Sequence, residues 1–152
     1  MEVFRISREK YSRILTASGK SARWNRDNQF VIYAGQSRAL STLELVVRRN
    51  AIQVSFKYEI SVISIADDAR FYTRKFIKDM PANWKHVDAY TLLQDIGSNW
   101  YSNNESLILQ VPSVIIPQEF NYIININHPD FSKSNISIVR NEDYFWDDRL
   151  LT

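Results

Sequence analysis

The chain contains no cysteine and only three glycines among its 152 residues. Without cysteine there can be no disulfide, no thiolate metal site and no cysteine nucleophile, which fits a reducing compartment. The glycines form neither a Gly-x-Gly-x-x-Gly nor a Gly-Lys-Ser/Thr motif, and this excludes a Rossmann dinucleotide site and a P-loop. A nucleotide substrate would need another kind of cradle.

The signatures of zinc and serine-hydrolase chemistry are also missing. The two histidines, His86 and His128, lack His-x-x-x-His or His-x-Glu spacing, and no Gly-x-Ser-x-Gly elbow occurs. We therefore expect neither a metal nor a bound cofactor. The sequence has no signal-peptide pattern and no run of about 18 apolar residues, so it predicts a cytoplasmic protein without a membrane partner.

The composition that remains is that of a folded globule, with 45% apolar and 13% aromatic residues. A chain of this length suits one compact domain that buries a sizeable core, so we expect a single domain over residues 1–152. No low-complexity or Pro/Gly-rich tract interrupts it, and the whole chain is expected to be ordered.

Positive charge is concentrated in the first third of the chain. Residues 1–50 hold ten Lys/Arg against four Asp/Glu, while residues 51–152 hold nine against thirteen, within a net charge of +2. The basic part could hold a phosphate-bearing small molecule, lie along nucleic acid, or form a solvated face. Because its cations form no dense run and accompany no nucleic-acid-binding motif, a solvated face is favoured and direct nucleic-acid binding is not expected.

Hydrophobic periodicity predicts a strand, a turn and a helix in the basic part. Residues 3–6 and 30–34 are predicted strands, and the polar segment 18–28 between them is a predicted loop. Ser37 is the expected N-cap of a helix that ends at about Arg49. The buried stripe of this helix is expected to consist of Ala39, Leu40, Leu43, Val46 and Val47.

Strands and helices alternate irregularly in the rest of the chain. Strict alternation over residues 52–62 predicts a half-exposed antiparallel strand. The further predicted elements are a helical patch at 71–78, a helix at 90–101, and strands at 106–111, 114–116 and 135–140. This order predicts an α+β domain with flanking helices around a mixed, largely antiparallel sheet.

A cation, aromatic rings and a carboxylate lie near the ends of one predicted strand and helix, in Arg23-Trp24-Asn25, Tyr33 and Glu44. Such a set suits cleavage of a charged, ring-bearing substrate such as a dinucleotide. Taken singly, Arg23 could be a surface cation that rests on Trp24, and Tyr33 could be a core aromatic whose hydroxyl reaches water.

Glu44 also has a structural interpretation when it is taken alone. At 100° per residue it falls beside Leu40, on the border of the predicted stripe. Arg48 follows four residues later, where a Glu-to-Arg pair on a solvated helix face contributes a few tenths of a kcal/mol. Periodicity alone therefore favours a surface ion pair.

Several short motifs follow one another in a recognisable order and spacing over nearly the whole chain. They are Phe4-Arg5-Ile6-Ser7, Arg23-Trp24-Asn25, and residues 31–34, 37–40, 43–47, 107–113, 121–131 and 148–150. The segment ending in His128-Pro129 is the most specific of them. In this ordered set the chain resembles the RES domain family.

The resemblance implies the toxin of a bacterial type II toxin–antitoxin pair, with an ADP-ribosyltransferase-like fold and an activity that degrades NAD. The implied partner is an Xre-like antitoxin, and the protein could form a homo-oligomer or a hetero-oligomer with that antitoxin. The family usually has Gly before its Arg-Trp pair, where this chain has Ser21-Ala22, and Pro at the position of Ile126. These departures concern loop geometry more than chemistry.

Carried onto this sequence, the resemblance assigns catalytic roles to Arg23, Tyr33, Glu44 and a serine, which is Ser113 or Ser106. It adds contacts with the substrate from Trp24, Ser37, Ser106, Asn121 and His128. Arg23 would bind the pyrophosphate of NAD, and Tyr33 would stack on its nicotinamide end. Glu44 would stabilise positive charge at the anomeric carbon of the ribose.

The acceptor stays open at this point. Inorganic phosphate would make the protein an NAD phosphorylase, water would make it a glycohydrolase, and a protein side chain would make it an ADP-ribosyltransferase. An alternative of another class is a non-catalytic module that binds protein or nucleic acid.

Overall fold

The computed structural model describes residues 1–48, 50 and 52–151. Its elements in chain order are β1 (Glu2–Arg8), α1 (Glu9–Ser12), β2 (Val31–Gly35), α2 (Arg38–Val46), β3 (Tyr58–Ile65), β4 (Tyr72–Arg74), α3 (Tyr90–Ser102), β5 (Ile108–Pro112), β6 (Phe120–Asn125) and β7 (Ile136–Tyr144). The seven strands form one sheet in the order β4-β5-β6-β2-β1-β3-β7. Within the described part of the chain, no helix combines the length and apolar character needed to cross a membrane.

Neighbouring strands are antiparallel in every pair except β4 with β5. The predicted α+β class with a mixed, largely antiparallel sheet is therefore confirmed. The predicted strands at 3–6, 30–34, 106–111 and 135–140 correspond to β1, β2, β5 and β7, and the predicted helix at 90–101 corresponds to α3.

Two strands, β4 and β6, do not follow from the sequence prediction, and one predicted strand is absent. The expected helical patch at 71–78 is instead β4 between two short 3-10 turns, and β4 is held by parallel pairing with β5. Residues 114–116 bend away from the sheet, because the backbone N–H groups of Ile115 and Ile116 both donate to the Ser113 hydroxyl. That local turn competes with an extended strand.

The predicted strand over 52–62 is wrong at its start and in its exposure. Residues 52–57 form a loop with a turn at 54–55, and β3 begins at Tyr58 and is almost entirely buried. It lies between β1 and β7, and its polar side chains are covered by α1. The Ser12 hydroxyl donates to the Glu59 carboxylate, and Ser61 donates to the Ser12 carbonyl at 2.6 Å. Because these partners replace water, the polar positions of the alternating pattern can be buried.

The strands β1 and β2 are neighbours in the sheet, but they pair only at Phe4 and Gly35. By contrast, β1 pairs with β3 over seven positions, from Glu2 opposite Ser64 to Arg8 opposite Tyr58. The two strands therefore diverge towards Arg8 and Val31, and the sheet is open between them at that end.

Three elements cover the face of the sheet that carries the candidate site. One side is covered by α3 and the 18–28 loop, through an apolar cluster that includes Trp24, Leu93, Trp100 and Ile123. On the other side α2 crosses the junction of β1 and β2. The opposite face of the sheet has its own core, which includes Val3, Ile32, Ile63, Ile124 and Ile136.

The helix α2 begins where it is predicted to begin, but its buried side differs from the predicted stripe. Ser37 is the N-cap and its hydroxyl accepts from the backbone N–H of Leu40 at 3.0 Å. Leu40 and Ser41 are buried, whereas Ala39 and Val47 are exposed. The reason is a polar contact: the Ser41 hydroxyl donates to the Phe4 carbonyl at 2.9 Å and turns the helix towards β1. The predicted end at Arg49 lies outside the described residues.

The edge strand β7 contains a bulge. Its register against β3 shifts between Val62 and Ile63, so that Val139 has no opposite residue on β3. Beyond the bulge the Arg140 and Glu142 side chains form an ion pair at 3.0 Å. The bulge bends this edge and increases its local twist.

Gly97 lets α3 and the 18–28 loop pack in direct contact. A methyl group placed on Gly97 would lie 1.6 Å from the Trp24 carbonyl oxygen. We expect Gly97→Ala to lower the free energy of unfolding by about 1–3 kcal/mol through overpacking, although alanine itself favours helix by about 1 kcal/mol. Urea denaturation measures the change, and Asn99→Ala on the exposed side of α3 is the matched control. Equal or greater stability of the Gly97 variant would contradict this packing.

Candidate active site

The loop that carries Arg23 is organised around the buried side chain of Asn25. This residue is 1% exposed, and its amide nitrogen donates to the carbonyls of Lys20, Arg26 and Gln29 at 2.9, 3.1 and 3.3 Å. A single side chain therefore satisfies three carbonyls that a loop without regular structure would leave unpaired. The asparagine of the Arg-Trp-Asn motif gives the loop its shape.

The Tyr33 hydroxyl joins this loop to β2. It donates to the Asn25 side-chain oxygen at 2.6 Å and accepts from the Trp24 backbone N–H at 3.1 Å. Burial raises the pKa of Tyr33 above its ordinary value, so the hydroxyl keeps its proton and remains a donor. The hydroxyl is occupied inside the protein, and the ring is the part of Tyr33 that lines the cleft.

Trp24 has a packing role in this structure. Its side chain is 3% exposed and belongs to the apolar cluster beneath α3. The sequence prediction that Trp24 contacts a substrate does not agree with this burial, because the ring would have to leave the core first. A tryptophan next to a candidate binding arginine can anchor the loop as readily as it can stack on a ligand.

Arg23 lies beside the first residue of α3. Its guanidinium carbon is 4.6 Å from the centre of the Tyr90 ring, and its Nη1 donates to the Trp84 carbonyl at 3.4 Å. The aromatic ring and the carbonyl hold the side chain without neutralising it, so its charge and its remaining donors can still serve an anion.

The Glu44 carboxylate is held by Ser113, which directly follows β5, and by Asn121 of β6. Its Oε1 accepts from the Ser113 hydroxyl at 2.9 Å and from the Asn121 side-chain amide at 2.6 Å. The predicted surface ion pair between Glu44 and Arg48 is wrong, because no ion pair joins these two side chains among the described residues. The Arg48 guanidinium instead lies 5.9 Å from the centre of the Tyr33 ring.

Of the two serines that the sequence leaves open, Ser113 is the one beside Glu44. Its hydroxyl accepts from two backbone N–H groups, so its own proton is directed to the carboxylate. Ser106 lies at the opposite end of β5, where its hydroxyl donates to the Ile108 carbonyl and accepts from the Trp100 indole. The structure does not bring Ser106 to the cleft.

The two other predicted contacts, Ser37 and His128, are also used within the fold. Ser37 caps α2 and donates to the Glu119 carboxylate at 3.2 Å. His128 lies beyond the far end of β6, where its Nε2 is 3.1 Å from the Asn104 carbonyl and its Nδ1 accepts from the Asp130 backbone N–H. Asn121 and His128 share one sequence motif, but β6 separates them.

The opening between β1 and β2 is a cleft in two parts. A small cavity of about 110 Å³ is bounded by Glu44, Arg48 and Asn121. A wider one of about 600 Å³ lies towards the open ends of the strands and is bounded by Arg8 and Lys20. Arg5, Ile6 and Tyr33 line both parts, so the two cavities adjoin each other.

Arg5 also lines both parts of the cleft, and the sequence analysis gives it no role of its own. It is half-buried, and burial lowers the pKa of its guanidinium, which still remains charged. Its hydrogen bond within the described residues is a long one, 3.5 Å to the Ile14 carbonyl. A cation between the apolar residues Phe4 and Ile6 of a strand is the sequence signal that could have identified it.

Comparison with known proteins identifies relatives over most of the chain. The chain is 31% identical over 128 residues to a protein named Toxin Res from Yersinia enterocolitica, an alignment that covers 84% of this chain and 82% of the relative. It is 33% identical over 109 residues to the Prs ADP-ribosylating toxin of a Sphingobium species, which covers 71% of this chain and 68% of the relative.

The fold also has a solved counterpart. A chain in the crystal structure of the Mycobacterium tuberculosis MbcT–MbcA toxin–antitoxin complex superposes with a TM-score of 0.76 at 13% identity, over 95% of this chain and 84% of that one. This similarity concerns the fold alone. The family model of the RES domain matches residues 2–147, and the chain therefore belongs to the RES domain family.

Proposed function

We propose that this protein is the toxin of a bacterial toxin–antitoxin pair and that it degrades cytoplasmic NAD by breaking the nicotinamide–ribose bond. The observation that carries the proposal is a single carboxylate, Glu44, in a cleft lined by the Tyr33 ring and by cations. The names of the relatives, Toxin Res and Prs ADP-ribosylating toxin, support the same class of activity.

The chemistry needs one negative charge at the reacting carbon and no acid for the leaving group. When the bond from the anomeric carbon to nicotinamide breaks, the electron pair stays on the nitrogen and nicotinamide leaves as a neutral base. Positive charge develops on the ribosyl ring, and the Glu44 carboxylate stabilises it more in the transition state than in the substrate. Glycosidases use a carboxylate in the same electrostatic way.

The remaining groups in the cleft match the rest of NAD. The Tyr33 ring offers a rigid surface for the nicotinamide end. Arg5 lines the same cavities as that ring, and Arg23 is held beside α3 by Tyr90 and the Trp84 carbonyl. Both arginines can offer planar forks to the pyrophosphate. These arginines replace the glycine-rich loop that the sequence lacks.

Inorganic phosphate is the acceptor that we propose. The wider part of the cleft is lined by Arg5, Arg8 and Lys20 and by no acidic side chain among the described residues, which favours a small anion. A phosphate oxygen would form the new bond to the anomeric carbon as nicotinamide leaves. Water or a protein side chain are the alternatives, and the name of the ADP-ribosylating relative supports the protein side chain.

The partner that we propose is an Xre-like antitoxin. The solved counterpart of this fold belongs to a toxin–antitoxin complex. An antitoxin segment that entered the cleft between β1 and β2 would block NAD, and acidic residues in that segment would match the cations there. The resulting complex would be a hetero-oligomer.

Glu44→Gln is expected to keep the fold and to lower NAD turnover by about 100-fold or more, because a neutral amide cannot stabilise the developing positive charge. Nicotinamide release measures turnover, and circular dichroism checks the fold. Glu105→Gln is the matched control, because the Glu105 carboxylate is exposed and accepts a long hydrogen bond of 3.4 Å from Thr73. Turnover near that of the wild type would remove Glu44 from this role.

Arg23→Lys is expected to weaken NAD binding about tenfold, which corresponds to about 1.4 kcal/mol. Lysine keeps the charge but loses the planar fork and the stacking on Tyr90. Calorimetric titration in the Glu44→Gln background avoids consumption of NAD. Arg26→Lys, which alters the exposed ion pair with Asp95, is the control. An unchanged affinity in Arg23→Lys would contradict the pyrophosphate assignment.

Incubation of the purified protein with NAD, with and without phosphate, tests the acceptor and the reaction class together. We expect nicotinamide release that depends on phosphate and ADP-ribose that carries phosphate on the anomeric carbon. ADP-ribose alone would indicate water, and labelled protein would indicate a transferase. No release in either condition would favour the non-catalytic module, and an oligonucleotide complex lost at raised salt would support its nucleic-acid form.

A further inference from the structure

The two oxygens of the Glu44 carboxylate differ in their hydrogen bonds. Both hydrogen bonds, from Asn121 at 2.6 Å and from Ser113 at 2.9 Å, end on Oε1. Among the described residues Oε2 accepts no hydrogen bond, and it is not one of the buried polar atoms that lack a partner. Because Glu44 lines the smaller cavity, Oε2 is the oxygen that remains available to a substrate.

The contact from Asn121 depends on the neighbouring strand. Asn121 lies at the start of β6 directly opposite Gly35 of β2. A methyl group on Gly35 would come within 2.5 Å of the Ser41 hydroxyl, so the glycine is what allows α2 to approach the sheet here. Because Gly35 has no side chain, the Asn121 side chain is the one that faces α2 at this pair. It reaches Glu44, which lies about one helical turn after Ser41.

We propose that Asn121 is a positioning residue, which holds Oε1 of Glu44 so that Oε2 faces the anomeric carbon. This inference rests on the proposed NAD cleavage, and it departs from the expectation that Asn121 contacts the substrate. A short amide-to-carboxylate hydrogen bond is charge-assisted and strong, so it fixes the rotamer of the carboxylate. Ser113 alone would leave the carboxylate free to turn about a single contact.

An asparagine is suited to this position because it donates without adding charge. An aspartate at 2.6 Å from Glu44 would place two carboxyl groups side by side, and such a pair retains a proton that a single carboxylate would release. The other charged or titratable groups around Glu44 are Tyr33 from β2, Arg5 from β1 and Arg48 after α2, with Glu119 beyond Ser37. No second carboxyl group lines the small cavity in the described part of the chain.

The first test separates positioning from substrate contact. Asn121→Ala is expected to lower kcat about 100-fold, the loss that a misplacement of about 1 Å can cause, with KM for NAD within about twofold. In the Glu44→Gln background the same substitution should cost little more, because both changes act through one carboxylate. A large rise in KM with kcat unchanged would assign Asn121 to the substrate and overturn the proposal.

The second test uses a readout that a purely structural role would not move. In Asn121→Asp the acidic limb of the pH–rate profile is expected to shift to higher pH, because the carboxyl pair holds its proton longer and Glu44 acts only when ionised. Activity should therefore recover as the pH rises. Asn127→Asp, at a residue whose amide donates to the Tyr101 hydroxyl beyond the other end of β6, is the matched control and should leave the limb in place. An unmoved limb in Asn121→Asp would contradict the proposal.

A carboxyl titration by ¹³C NMR gives a readout that does not depend on NAD. In Asn121→Asp the carboxyl pair is expected to release its last proton at a higher pH than the carboxyl of Glu44 in the wild type, whereas Asn127→Asp should leave the Glu44 titration unchanged. Failure of the proposed function would appear as a wild-type protein that releases no nicotinamide. Failure of the positioning role would appear as an active wild type whose Glu44 titration does not respond to Asn121→Asp.

Discussion

The divergence of β1 from β2 after their single pair at Phe4 and Gly35 is the constraint on which the candidate site depends. Each strand is fully paired on its other side, β1 with β3 and β2 with β6, so the sheet stays hydrogen-bonded on both sides of the opening. Groups that would face each other in a continuous sheet instead line a cleft. Arg5 comes from one wall and the Tyr33 ring from the other, and α2 closes the narrow end with Glu44.

The cleft is kept in shape by hydrogen bonds that involve side chains rather than regular backbone pairing. Tyr33 and Asn25 join the 18–28 loop to β2, and Asn121 and Ser113 join α2 to β5 and β6. Asn121 lies near the start of β6, and Ser113 directly follows β5. The elements around the candidate site are therefore joined without extending the sheet into the cleft.

The sequence predicts what is local and misses what is long-range. The Ser37 cap and α3 follow from short-range periodicity, and Glu44 at the border of the apolar face is compatible with a carboxylate beside a cleft. The burial of Glu59 and Ser61 could not be predicted, because their partner Ser12 lies far away in the sequence. In the same way, Trp24 and His128 share motifs with Arg23 and Asn121, yet tertiary packing assigns them to the core and to a distant turn. The order of the motifs identifies the family, and the tertiary fold determines which residues of each motif lie close together.

The bulge at Val139 bears on how this protein behaves beside other copies of itself. The strand β7 is long and lies at the border of the sheet, where unpaired backbone groups could template a strand of another molecule. An unmatched residue interrupts the regular spacing of those groups, and the charges of Arg140 and Glu142 follow it directly. The bulge and these two charges therefore make β7 a poorer template for a strand of a second copy of the chain.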